Sequence, residues 1–129
     1  MTKTTSTFEI TSWDQHPSDE PKEGLAMVRA TVKKAIHGDL EGTSIAEAVL
    51  CGGVDAGAYI AVERVTGTLG GRTGTFVVQH GGVSTAEGPH SFGNIVFGSG
   101  TGELKGLRGT AKYGHDENGA RIEMEYSFD

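Results

Sequence analysis

Tyr59-Ile-Ala-Val-Glu-Arg-Val-Thr-Gly-Thr-Leu-Gly-Gly-Arg-Thr-Gly-Thr-Phe-Val-Val-Gln-His80 reads as two strands folded back on each other at Gly70-Gly71. Paired glycines supply the positive φ that both central positions of a tight hairpin turn require. Folding there sets Val65 opposite Phe76, Glu63 opposite Val78 and Ala61 opposite His80, with Tyr59 on the same side. The other side carries Arg64, Thr66, Thr75, Gln79, Val62 and Val77. The first set is the expected interior, and one strand face packed inward with the other solvated is the mark of an antiparallel sheet. Val62 and Val77 make the outer face partly apolar, a pattern that marks a candidate subunit interface and hence a homodimer.

The same period-2 alternation recurs along the chain and predicts eight strands, at 6–13, 25–36, 43–52, 58–68, 73–81, 91–98, 108–114 and 120–128. Gly38-Asp39 and Asn118-Gly119 are further hairpin signals, while residues 52–57, 81–89 and 98–102 read as looser joints. Gln15 to Glu23, polar and holding Pro17 and Pro21, reads as a surface excursion. Thr43–Cys51 has some helical propensity in Ala46, Glu47, Ala48 and Leu50, but its hairpin-like flanks favour a strand. Folding at Asn118-Gly119 puts Tyr113 opposite Met124, Ala111 opposite Tyr126 and Lys112 opposite Glu125, so apolar meets apolar and opposite charges pair. Folding at Gly38-Asp39 puts Val28, Ala30, Val32, Ile45, Glu47, Val49 and Cys51 on one face, so Glu47 is expected to look inward. Eight consecutive antiparallel strands close most economically into an up-and-down β-barrel, which removes sheet edges; an open sandwich is the alternative. The 129 residues fit one domain, residues 1–129.

Composition agrees with hairpins rather than helices: 21 glycines stand against 3 prolines. A net charge of −6, with no basic run longer than Lys33–Lys34, argues against nucleic acid and against an anionic membrane surface as partners. The polar N-terminal segment predicts no signal peptide, and no run approaches the apolar length of a membrane-spanning helix. A cytoplasmic address is the default. Cys51 is alone, so no internal disulfide is expected, and it reads as a small buried apolar residue rather than a nucleophile.

On the Gly70-Gly71 register Glu63 and His80 are diagonal neighbours. A carboxylate in an apolar barrel and a histidine that titrates near neutrality can act together as acid and base, which makes Glu63 and His80 the candidate catalytic residues. The bland readings are a rim or locally neutralised glutamate and a mouth histidine bonded to backbone. Tyr59, Glu47, Phe76, Val78, Tyr113, Met124 and Tyr126 are the candidate ligand-binding lining, for a packed core or for a pocket that takes a small, mostly apolar molecule. His16, His37, His80, His90 and His115 have no metal-ligand spacing, and Gly98-Ser-Gly-Thr-Gly102 lacks the Lys-Ser/Thr and the helix of a phosphate loop. No metal and no cofactor are expected.

Four strings together resemble one bacterial family: Phe8-Glu-Ile-Thr-Ser-Trp-Asp14, Gly38-Asp-Leu-Glu-Gly42, the Glu63–His80 stretch, and Gly98-Ser-Gly-Thr-Gly-Glu-Leu-Lys-Gly-Leu-Arg-Gly109. The chain resembles the domain-of-unknown-function 3224 proteins, grouped with the allene oxide cyclase-like barrels. It departs from them at Ala46 to Val54, where small residues replace larger ones and would enlarge the cavity or reshape its mouth. The resemblance implies an eight-stranded barrel with a largely hydrophobic cavity, related to proteins that fix the conformation of a reactive apolar precursor so that one ring closure or coupling wins. Orientation would then carry the effect, with Glu63 as the polarising group. Three functions stay open: a cofactor-independent cyclase or isomerase, a carrier or sensor of a small hydrophobic ligand, and a structural barrel that works through its outer surface. Fold similarity does not choose between them.

Overall fold

A computed structural model describes every residue except Val54 and Asp55. The expected loose joint at residues 52–57 therefore lies partly outside the described residues. The chain forms a closed antiparallel barrel whose strands neighbour one another in sequence order. They are β1 (Thr2–Asp19), β2 (Met27–Gly38), β3 (Leu40–Gly53), β4 (Ala56–Leu69), β5 (Arg72–Thr85), β6 (Gly88–Ile95), β7 (Leu107–Asp116) and β8 (Gly119–Phe128). Pairing of β1 with β8, from Thr2↔Tyr126 to Phe8↔Ala120, closes the ring. Thr43–Cys51 is strand, as its flanks suggested. Among the described residues no helix is long and apolar enough to cross a membrane.

The three hairpin readings fare differently. At Gly70-Gly71 the register is the expected one, with Val65↔Phe76, Glu63↔Val78 and Ala61↔His80. At the last hairpin the turn is one position earlier on each strand, so Tyr113 pairs with Ile122, Ala111 with Met124 and Lys112 with Glu123. That is a slip of two, which changes partners but keeps faces. At the first hairpin Asp39 alone separates β2 from β3, and Val32 pairs with Ala46 rather than Ile45. Gly38 permits the tight turn with a φ of 128°, and the Asp39 and Glu41 carboxylates accept from the backbone N–H groups of Thr5 and Gly38. A slip of one flips a strand. Ser44, Ala46, Ala48 and Leu50 therefore face inward, while Ile45, Glu47 and Val49 are exposed. Glu47 stands on the outer wall, where Thr31 donates to its carboxylate.

β1 also runs further than expected. Gln15 to Asp19 continues the strand against β2, with Pro17 opposite Val28, and the polar excursion begins only after Asp19. A bulge between Ile10 and Ser12 changes the phase, so that Trp13 pairs with Val32 on the inner side.

The two ends of the barrel are built differently. At the end where β4 leaves and β5 enters, Ile36, Leu40, Leu69, Phe76 and Leu107 are fully buried in a dry core. The connection after β6 folds across this end. It bonds to β5 through Thr101 N–H to the Thr75 carbonyl and Val77 N–H to Ser99 Oγ, and its short 3-10 turn, Gly102–Leu104, drives Leu104 into the core. At the opposite end several inward positions are small, among them Ala46, Ala48 and Ala61. Side chains fill the barrel at one end and leave room at the other.

A buried charged layer beneath an apolar cup

Alternation on β2 carries Ala30, Val32, Lys34 and Ile36 to the inside. On β4 it carries Ala61, Glu63 and Val65, and on β5 Phe76, Val78 and His80. Lys34, Ser44, Glu63 and His80 meet near mid-height, all buried. Glu63 is wholly enclosed and its carboxylate collects four donors. Oε1 accepts from Lys34 Nζ at 3.0 Å, His80 Nε2 at 2.8 Å and the Tyr113 hydroxyl at 3.1 Å. Oε2 accepts from Ser44 Oγ at 2.5 Å. No buried side-chain polar atom among the described residues lacks a partner.

These contacts assign the histidine tautomer. The Glu63 carboxylate can only accept, so the neutral His80 ring carries its proton on Nε2, and in that tautomer Nδ1 accepts from the Tyr59 hydroxyl at 2.9 Å. The chain of donors thus runs Tyr59 to His80 to Glu63. Packing fixes the imidazole: the Tyr113 ring stacks on it at 3.9 Å between centroids, and Tyr59 meets it edge-on. The Lys34 ammonium lies 4.6 Å from the Phe8 ring centre and 4.8 Å from that of Tyr113, so two aromatic faces share its charge with Glu63.

Burial by itself would raise the Glu63 carboxyl. The His80 hydrogen bond, the Lys34 charge and the Ser44 hydroxyl outweigh it and hold the group at about 2. Burial, then the Glu63 charge, push the Tyr59 and Tyr113 hydroxyls up, so both remain neutral donors at ordinary pH. Together the Lys34 and Glu63 charges cancel.

Above this layer lies a cavity of about 390 Å³. Its wall is mostly apolar, with Phe8, Val32, Ala46, Ala48, Leu50 and Ala61 among the lining residues. Lys34, Tyr59, His80 and Tyr113 present the polar floor, and Trp13, Ile10 and Val83 stand half-exposed on the lining near the outside.

Of the residues singled out in the sequence, Tyr59, His80 and Tyr113 line the cavity. Glu63 touches His80 and Tyr113 but sits behind them, out of the lining. Glu47 is outside the barrel because of the one-residue slip. Phe76, Val78, Met124 and Tyr126 point inward yet belong to the dry core below the charged layer, so they do not border the cavity. Lys34 and Ser44 were missed as site residues, as were Phe8, Trp13 and His90 in the lining. For Lys34 the signal was available: it falls in phase with Ala30, Val32 and Ile36. Among the described residues no group of three or more His, Cys, Asp or Glu is arranged to hold a metal ion.

Fold and site together define a closed antiparallel eight-stranded barrel, half core and half cup, with an ion pair buried at the level of the cup's floor. The family model of proteins of unknown function DUF3224 matches residues 4–129, and the chain belongs to that family. It is also similar to the crystal structure of a DUF3224 protein of unknown function from Shewanella oneidensis MR-1. The two are 30% identical with a TM-score of 0.83, over 100% of this chain and 98% of the other. No curated protein matches the chain.

Proposed function

We propose that the barrel binds a small, uncharged, mostly apolar molecule in the cup, with the ligand's one polar group against Tyr59, His80 and Lys34. The observation that carries this reading is the cavity of about 390 Å³, mostly apolar on its walls, with Lys34, Tyr59, His80 and Tyr113 at its floor and Ser84 and His90 towards the other end. That is the usual composition of a small-molecule site: apolar area for affinity, a few placed polar groups for orientation. Exposed Trp13, Ile10 and Val83 on the same lining offer an apolar approach. The cancelled charge of Lys34 and Glu63 favours a neutral ligand over an anion.

A second reading is a cofactor-independent cyclase or isomerase that holds a reactive precursor folded. The resemblance to allene oxide cyclase-like barrels favours it, as does the Tyr59–His80–Glu63 chain at the cavity floor.

N-phenyl-1-naphthylamine, a neutral dye that brightens in apolar surroundings, tests the cup. Saturable brightening is expected with the native chain and its loss with Ala48→Trp, whose ring fills the cavity. Equal binding by Ala48→Trp, or no saturable binding at all, would refute the proposal.

A further inference from the structure

Resting on the cup reading, we infer that Tyr59, His80 and Glu63 form a proton relay that enolises a neutral ketone held against the cavity floor. The hydroxyl proton of Tyr59 is committed to His80 Nδ1 at 2.9 Å, which leaves an oxygen lone pair on a residue that lines the cavity. His80 in turn has its other proton committed to Glu63 Oε1 at 2.8 Å. This is the arrangement in which a buried carboxylate fixes the histidine tautomer and stabilises the imidazolium that forms when an upstream hydroxyl gives up its proton. Here the upstream hydroxyl is a phenol, a weak nucleophile but an adequate proton carrier.

The step balances within the site. The C–H bond beside the ketone carbonyl breaks and its proton passes to Tyr59 Oη as the tyrosine's own proton moves to His80 Nδ1. The bonding electron pair shifts into the carbonyl group and makes an enolate oxygen. Lys34, which lines the same cavity, supplies positive charge for that oxygen, and its ion-pair partner, Glu63, faces the new imidazolium. Return of the proton to the same carbon gives exchange, and return to a conjugated carbon gives an isomer. No oxidant, metal or co-reactant is consumed.

The substrate class follows from the floor. Its charges sum to zero, so a carboxylate ligand would meet no net attraction, whereas a carbonyl needs only a donor and becomes charged after the proton leaves. Tyr59 touches substrate and is the catalytic residue. His80 borders the cavity and receives the proton. Glu63 is a positioning residue that acts through His80.

The probe is 2-tetralone, a neutral bicyclic ketone, in deuterated buffer. Deuterium uptake beside the carbonyl is followed by NMR, and binding by ligand-observed NMR on the same samples. The native chain is expected to accelerate uptake by at least about 10²-fold over buffer, the lower range for general acid–base assistance. Tyr59→Phe and His80→Gln are expected to return uptake to the buffer rate at tetralone concentrations that saturate each variant, with affinity weakened by no more than about tenfold, as loss of one hydrogen bond at the floor without loss of the apolar wall implies. Glu63→Gln is expected to lower the saturating rate with affinity unchanged, a split that mere loosening of the barrel would not give. If that variant unfolds, the other two still decide. Binding without acceleration, native-like uptake by Tyr59→Phe, or a borohydride-trapped adduct on Lys34 would each overturn the relay and leave the cup intact. Absence of tetralone and dye binding alike would overturn both.

Discussion

Replacing Lys34 by Met and Glu63 by Gln, singly and together, isolates the ion pair at the cavity floor. The Lys34–Glu63 contact is 3.0 Å long, with side-chain exposures of 7% and 0%, so neither solvent nor salt screens it strongly. Removing one partner of a buried pair typically costs about 3–5 kcal/mol, because the other charge is left without compensation. Glu63 is held at about 2 against an ordinary 4.5, which at 1.36 kcal/mol per unit amounts to about 3 kcal/mol net of burial for His80, Lys34 and Ser44 together, not for the ion pair alone. The two singles are not equivalent. Glu63 is sealed on every side, so Lys34→Met strands its carboxylate and is expected to cost about 3–5 kcal/mol. In Glu63→Gln the ammonium keeps an amide oxygen and two ring faces and borders the cavity, so about 2–3 kcal/mol is expected from the loss of a charged hydrogen bond.

The double variant puts a thioether beside an amide that still accepts from His80 and Tyr113. It is expected to cost less than the sum of the singles by about 2 kcal/mol or more, since paired buried charges are often replaceable together. Urea unfolding at pH 7, followed by far-UV circular dichroism, reads the cycle directly. In thermal unfolding each kcal/mol corresponds to roughly 3–5 °C for a domain of this size. A coupling below about 1 kcal/mol, the worth of a surface pair, would refute the view that these charges depend on each other for burial.

Acid should weaken the native protein through the same carboxylate. Glu63 has a depressed folded-state pKa, so its contribution is fully present above about pH 4.5 and disappears as the pH falls towards 2; Glu63→Gln should lack that part of the acid slope in urea titrations, and equal slopes would rule it out. Phe76→Ala, one inward layer below the Glu63–Val78 level and outside the cavity lining, should cost about 3–5 kcal/mol while dye binding survives at temperatures where the variant is folded. Gly67→Ala should destabilise by roughly 1–3 kcal/mol in the same unfolding assay, because a Cβ there would stand 2.2 Å from the Glu41 carbonyl oxygen on the paired strand.

How much of this was legible depends on the parity of each register error. At Gly70-Gly71 the turn chemistry was unambiguous, and Tyr59, Glu63 and His80 were correctly placed on one inward face. At the last hairpin the slip of two still left Tyr113, Met124 and Tyr126 inward. At the first hairpin Gly38-Asp39 looks like a two-residue turn but holds only Asp39 between the strands, and that single residue sent Glu47 outside and hid Ser44, Ala46 and Ala48. Face assignment is robust to even errors and fails completely on odd ones.

Depth along the barrel axis is a separate matter, because alternation says nothing about it. Phe76, Val78, Met124 and Tyr126 share the inner surface with Tyr59 and His80, yet only the upper residues meet a cavity. The lower end is dry because the connection after β6 turns back and plugs it with Leu104, a contact between distant segments that no local pattern encodes. A volume gradient does survive in the sequence: Leu40, Leu69 and Phe76 lie at one end of β3 to β5, and Ala48, Ala58 and Gly82 at the other. The charged layer sits where that gradient turns over, and physical chemistry gives the reason. Deeper in the core Lys34 would lose its edge on the cavity, and nearer the mouth Glu63 would gain water in place of its four donors. At mid-height the carboxylate is enclosed enough to orient His80, while Lys34, His80 and Tyr59 still line the cavity.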